Sequence, residues 1–345
     1  MKIVGCDLHT RYQQIAMLDE ETGELTERGL EHENGEAGAF YASLEGPVRV
    51  GIEATGHTRW FERMLAALGH ELWIGDAAEI RVSMVRKQKT DARDAAHLLE
   101  LLLSGRFPRL WRPTMAERDL RQLVWHRQKL VWMRTAVGNQ LHALAMGEGV
   151  CRKKKLFTKK GRIELESLSL DHWASRRRQE LLRMLDQLDA SLDEFDQAVA
   201  EQAEQNAAAV LLMTHPGVGP VTSLAFVLTL GPVERFARSK QVVSYLGLNP
   251  REHSSGGRQR LGSISKQGNP MMRSLLVEAG HTAARLDGEL RQDYQRLKLR
   301  RGGGVAKIAI ARKLAVRMYW MLRSQINYAQ LVRMQGSSRA TLVQP

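Results

Sequence analysis

Cysteine is nearly absent: Cys6 and Cys151 are the two in 345 residues. They lie far apart in sequence, which excludes a disulfide framework and a thiolate zinc site. Any metal must therefore sit on carboxylates. Long apolar runs are missing too. None approaches the roughly 18 residues of a spanning helix, and the N-terminal run is interrupted by Asp7, His9 and Arg11, which fits neither a signal peptide nor a membrane segment. A cytoplasmic protein with no membrane partner is expected. No internal repeat is present. Negative charge is in deficit, with 38 Asp and Glu against 51 Lys and Arg, a formal net charge of +13. A polyanion is the expected partner, nucleic acid or an anionic surface. Apolar residues make up 43% of the chain, enough for real cores, and the length suits two or three domains.

The N-terminal stretch alternates short β-rich runs with turns: Lys2 to Leu8, Gln13 to Leu18, the turn Glu21-Thr22-Gly23, and a run around Leu25 to Leu30. A three-stranded meander follows from that pattern. Next come a helical pattern (Glu36 to Leu44), a buried-strand run from Val48 to Ile52, a helix near Arg59 to Leu68 and a strand from Glu71 to Ile74. Meander followed by βα alternation is the order of ribonuclease-H-like α/β domains. From about Met115 to Met146 and from Leu181 to Ala209, apolar residues recur at three- and four-residue spacing, predicting long amphipathic helices whose stripes need a partner, with self-association the economical one. Between them Cys151 to Gly161 reads as an exposed basic loop. Its Lys153, Lys154, Lys155, Lys159 and Lys160 suit phosphates or a merely solvated surface. The last part opens at Pro216-Gly217-Val218-Gly219-Pro220 before an apolar helix (Val221 to Leu230), and closes with a helix from Val305 to Tyr328 and a loose tail.

Four acids stand out: Asp7 at the end of the first strand, Glu53 just after the strand ending at Ile52, and Asp91 and Asp94 behind Thr90. Thr90 is a suitable N-cap, and a three-residue separation puts both aspartates on one helical face. Two carboxylates from strand ends and two from a helix turn can converge on a pair of divalent ions about 4 Å apart, the arrangement for phosphodiester displacement. Singly each acid has an ordinary explanation, Asp91 in the helix dipole and Asp7 in a turn. Hard oxygen ligands favour Mg2+, with Mn2+ next.

Two further motifs lie in the last third. Gly217 and Gly219 at a helix entry resemble a helix-hairpin-helix turn whose N–H groups hold phosphate, or are simply a helix start. The run Gly247-Leu248-Asn249-Pro250, Ser254-Ser255-Gly256, then Ile264-Ser265-Lys266-Gln267-Gly268-Asn269 gathers serines among Arg258, Arg260, Lys266 and Arg273. These are ingredients for a hydroxyl nucleophile facing phosphate, and equally those of a polar loop. A Ser-His pair with His253 has no orienting acid.

Together these motifs, in this order from Lys2 to Tyr328, resemble the IS110 family of transposases, in its IS1111 branch. The resemblance implies a RuvC-like N-terminal domain (1–112), a coiled-coil dimerisation region (113–209), a mostly helical transposase domain (210–330) and a tail (331–345). It implies that Asp7, Glu53, Asp91 and Asp94 hold the metal and that Ser255, beside Ser254, is the nucleophile giving a covalent phosphoserine. It further implies DNA donor ends and target as substrates, a guide noncoding RNA, and a dimer that becomes a tetramer on nucleic acid, acting at the bacterial nucleoid. The rival readings are a metal-dependent nuclease or junction resolvase using water on the same acids, an actin-like kinase suggested by Asp7-Leu8-His9-Thr10, and a non-catalytic scaffold.

Overall fold

A computed structural model describes residues 1–84, 90–152, 154–254 and 260–341, and divides into two compact units, Met1–Arg112 and Pro113–Pro345. The first unit follows the alternation of its sequence. Lys2–Leu8 (β1), Tyr12–Asp19 (β2) and Leu25–Glu31 (β3) form the meander; Glu36–Ser43 (α1), Val48–Glu53 (β4), Arg59–Ala67 (α2), Glu71–Gly75 (β5), Ala77–Ser83 (α3) and Asp91–Leu103 (α4) follow. The strand order is β3-β2-β1-β4-β5, antiparallel from β3 to β1 and parallel from β1 to β5. Successive side chains point to opposite faces. Val4, Cys6, Val50 and Ile52 therefore meet Tyr41, Phe61 and Leu65 of α1 and α2, while Ile3 meets Leu98, Leu99 and Leu102 of α4. Burial pushes the Cys6 thiol above its ordinary range, which makes it a packing residue.

Gly5 sets how closely α4 approaches β1. A Cβ there would lie 2.2 Å from the Ala95 carbonyl oxygen and 2.4 Å from the Leu99 nitrogen, far inside any real contact. Its register partner on β4 is Gly51, which leaves room for Leu102 and Phe107 in the same way.

The second unit contains Met115–Gly147 (α5), Lys159–Glu166 (α6), His172–Glu204 (α7), Ala207–Met213 (α8), Pro220–Leu230 (α9) and Ser239–Tyr245 (α10). A two-stranded hairpin, Pro250–Glu252 (β6) and Leu261–Ile264 (β7), precedes Pro270–Leu286 (α11), Gly288–Arg301 (α12), Gly303–Ser324 (α13) and Tyr328–Thr341 (α14). Thr114 and Glu117 form a capping box that starts α5, with bonds of 3.2 and 2.7 Å. Leu130, Val137 and Leu141 of α5 pack on Leu181, Leu185 and Leu188 of α7. Arg127 donates to both oxygens of Asp196 (2.6 and 3.1 Å), Arg134 pairs with Asp189, and Arg177 reaches Gln140 (3.0 Å). Rising numbers on one helix meet falling numbers on the other, so the pair is an antiparallel hairpin. The stripes have an intramolecular partner, which removes their burial as a reason for self-association.

Three segments differ from expectation. α7 begins at His172, not Leu181: Arg178, at an inward position of its first turns, is buried and donates to the carbonyls of Leu165 (3.1 Å) and Leu168 (2.8 Å), so the apolar spacing starts only after it. The basic segment ends in a helix: Thr158 caps α6 through Gly161 N (3.3 Å), and Leu156 is fully buried. α13 stops at Ser324, where Gln325 adopts φ 52, rather than running to Tyr328, and α14 follows. Reciprocal bonds between Asn327 and Gln330 (2.8 and 3.0 Å) start it.

Candidate active site

Asp7 is the penultimate residue of β1 and Glu53 the last of β4. Cys6 pairs with Ile52, so the two acids come side by side at the ends of neighbouring parallel strands, on the face that α4 covers. Thr90 Oγ1 accepts from Arg93 N (3.4 Å), capping α4 as its sequence predicts and putting Asp91 and Asp94 in the first turn. The helix dipole favours carboxylates there. Among the described residues, Asp7, His9 and Asp91 bring one ligand-type atom each within 4.8 Å of one another. Glu53 and Asp94 are not part of this group.

His9 and Tyr12 enter the site unheralded. His9 N donates to Tyr12 O (3.0 Å), closing the turn between β1 and β2. The two rings stack with centroids 4.7 Å apart. Tyr12 donates its hydroxyl to Asp91 Oδ2 (2.7 Å), and this bond pushes the phenol above its ordinary value. His9 Nε2 lies 3.2 Å from Asp7 Oδ2 and 3.5 Å from Asp91 Oδ2. The atom is buried and lies off a hydrogen-bonding line with either oxygen, which leaves it without a hydrogen bond. The available signal was the two-residue step from Asp7 to His9, which keeps both on one side of an extended chain. Two carboxylates with an orphaned ring nitrogen between them suit a divalent cation, and Asp7 and Asp91 would hold it.

In the second unit the glycine motifs face each other. A Cβ on Gly247 (φ 66) would lie 1.9 Å from Gln267 O, and one on Gly268 (φ 74) 2.2 Å from Tyr245 O. Ser265 Oγ donates to Asn249 Oδ1 (2.9 Å), Arg273 Nη1 donates to Gln267 O (2.6 Å) and Gly268 O (3.1 Å), and Asn269 caps α11. The two motifs thus brace the base of the β6–β7 hairpin. Ser254 Oγ donates to Glu252 Oε1 (2.6 Å) and accepts from Arg260 N (3.1 Å). Ser255, Arg258 and Lys153 lie outside the described residues.

The remaining cationic and glycine candidates divide. Lys154, Lys155, Lys159, Lys160, Arg260 and Lys266 are exposed. Arg273, by contrast, spends its guanidinium on carbonyls. Gly217 (φ 86) serves packing, since a Cβ there would lie 2.5 Å from Ala283 N; Gly219 caps α9 and has open space.

His215, beside this turn, is buried next to Arg317, which donates to Asp287 and Glu289 (2.7 Å each). Burial pushes the imidazole down to about 4. The neutral ring's contribution to stability is full above the ordinary value near 6.5 and is lost as pH falls from there towards 4, about 3 kcal/mol over that window. Thermal unfolding at pH 7 and pH 4.5 should show a steeper acid loss in the native chain than in His215→Asn; equal losses would contradict this.

Two family models match the chain. An IS110-type DEDD model described as Transposase covers residues 4–147, and one described as Transposase IS116/IS110/IS902 family covers residues 209–295. A Pseudomonas aeruginosa protein named "Probable family 20 transposase" is 27% identical over 93% of this chain and 96% of its own. The Coxiella burnetii transposase for insertion sequence element IS1111A is 27% identical, covering 95% and 91%. A Moraxella bovis pilin gene-inverting protein is 27% identical over 65% of this chain and 64% of its own. Among the described residues, no helix is long and apolar enough to cross a membrane.

Proposed function

Because the chain belongs to the IS110 family of transposases, we propose that it cuts and rejoins DNA through a serine, Ser255, working with a RuvC-like acid site made by Asp7, Glu53, Asp91 and Asp94. The observation that carries this reading is the meeting of Asp7 and Asp91 from separate elements, with Asp7 and Glu53 each one residue beyond the last register pair of β1 and β4, Cys6 and Ile52. The sheet order supports the RuvC-like assignment. Asp7, Glu53, Asp91 and Asp94 would hold a divalent cation, Mg2+ or Mn2+, which would supply positive charge to the phosphate oxygens. The chain's own part is to bring the carboxylates together and to present the serine hydroxyl. As the Oγ–P bond forms, Oγ loses its proton, the P–O bond to one strand end breaks, and that end leaves as a hydroxyl. Reversal with another strand end rejoins DNA without ATP, because the phosphodiester energy is kept in the phosphoserine.

The relative named for gene inversion favours this over the nuclease reading, since inversion requires both ends to be rejoined. The same reading includes the IS1111 branch, a guide RNA that pairs with donor and target, and the helical hairpin of α5 and α7 as a coiled-coil dimerisation region. It also includes a dimer that becomes a tetramer on nucleic acid in the bacterial cytoplasm. Exposed Lys154, Lys155, Lys159, Lys160 and Lys266 would meet phosphates.

Incubation with the element's ends, its flanking transcript and magnesium, followed by proteolysis and mass analysis, should yield DNA joined to the peptide bearing Ser255. Ser255→Ala should yield none. Continued cutting by Ser255→Ala would instead establish water as the nucleophile.

A further inference from the structure

We infer that His9 is a third protein ligand of the cation held by Asp7 and Asp91, and that it tilts the site towards a first-row transition ion such as manganese over magnesium. The inference deepens the proposed acid site and rests on it. Buried polar atoms are normally hydrogen-bonded, and one that is not calls for a reason. His9 Nε2 is such an atom, and it points between the two carboxylates rather than away from them. Its ring is held against Tyr12 and its backbone N–H closes the turn, so the nitrogen is delivered by a fixed element. The Tyr12 hydroxyl orients Asp91 from the same turn. Ligand and orienting group together make the arrangement expected around a bound ion.

Chemistry then selects the ion. Magnesium takes oxygen donors in a small octahedral shell and keeps its waters, whereas manganese and its neighbours accept imidazole nitrogen. A site of carboxylates alone would not discriminate in this way. One nitrogen among the oxygens does.

Tag-free full-length protein loaded with Mn2+ is the probe, examined by pulsed electron paramagnetic resonance and by calorimetric titration with Mn2+ and with Mg2+ separately. The native chain should show a directly bound nitrogen-14 coupling that disappears in His9→Ala. His9→Ala should weaken Mn2+ binding by about tenfold or more while changing Mg2+ binding by less than about threefold. His9 is partly exposed, so the variant should keep the native melting temperature, a control that separates ligation from folding. Absence of the nitrogen coupling in the native chain, or equal weakening for both ions, overturns the inference. Asp7→Ala run in parallel separates the two levels. Lost Mn2+ binding in Asp7→Ala without nitrogen coupling in the native chain removes His9 alone, whereas unchanged Mn2+ binding in Asp7→Ala removes the acid site and His9 with it.

Discussion

Asp7→Ala should lower DNA strand transfer by about a thousandfold or more while leaving DNA binding intact. Asp7 stands where β1 ends, with Glu53 beside it and Asp91 reached across His9, so its loss removes the carboxylate common to both elements of the site. Phosphodiester chemistry depends on positive charge delivered to developing oxyanions, and a site that no longer gathers that charge forfeits several kcal/mol of barrier lowering. Affinity for DNA should hold, because removing an acid from a chain of net charge +13 adds to its attraction for phosphate. A gel assay of strand joining, alongside a filter-binding assay on the same preparation, measures both. Ser255→Ala should be as inactive through loss of the nucleophile. Mixing the two inactive proteins should restore part of the activity if the acids of one subunit serve the serine of another. No rescue in verified mixed oligomers would confine each site to one subunit.

Gly5→Val should destabilise the first unit by about 3 kcal/mol or more, and with it the acid site. Even a single methyl group would fall on the backbone of α4, at Ala95 O and Leu99 N, where no side chain can swing aside. The chain must then move α4 away from β1, and α4 carries Asp91 and Asp94. Two readings follow from one variant: a lower denaturant midpoint, and weakened Mn2+ binding at temperatures where the protein remains folded. Gly35→Ala is the control. It occupies φ 76 with open space around it, so it should cost only the strain of its backbone and leave metal binding unchanged. A Gly5→Val protein with native stability and native Mn2+ affinity would refute the tight-packing account.

Much of the first unit is legible from local pattern. Strand alternation and turn residues mark the meander, and Thr90 before Asp91 marks the helix start, because each depends on neighbours a few residues away. The acids could be picked out for the same reason. What could not be read is that His9 belongs with them. The two-residue step from Asp7 to His9 puts both on one side of the chain but does not say what they meet, because the place of His9 depends on Tyr12 closing a turn and on α4 arriving from far along the chain. Arg178 is a second case that local pattern does not reveal. Charged residues usually face water, yet the Arg178 guanidinium satisfies the buried Leu165 carbonyl that the packing would leave bare, and the cost of an unpaired buried carbonyl outweighs that preference.

The glycine-rich motifs of the second unit divide along the same line. Gly247 and Gly268 are conspicuous as residues, and their reason lies in each other's segments: each backbone runs too close to the other for any Cβ. The order of β-rich and helical segments, the surplus of basic charge, the capping of α4 and the acids themselves follow from sequence alone, because propensity, periodicity and charge are properties of short stretches. The pairing of α5 with α7, the burial of Arg178, the fit of α4 onto Gly5 and the meeting of Asp7, His9 and Asp91 were decided only by tertiary structure. Each depends on atoms from segments distant in the chain, and distance in the chain carries no information about approach in space until the cores have formed.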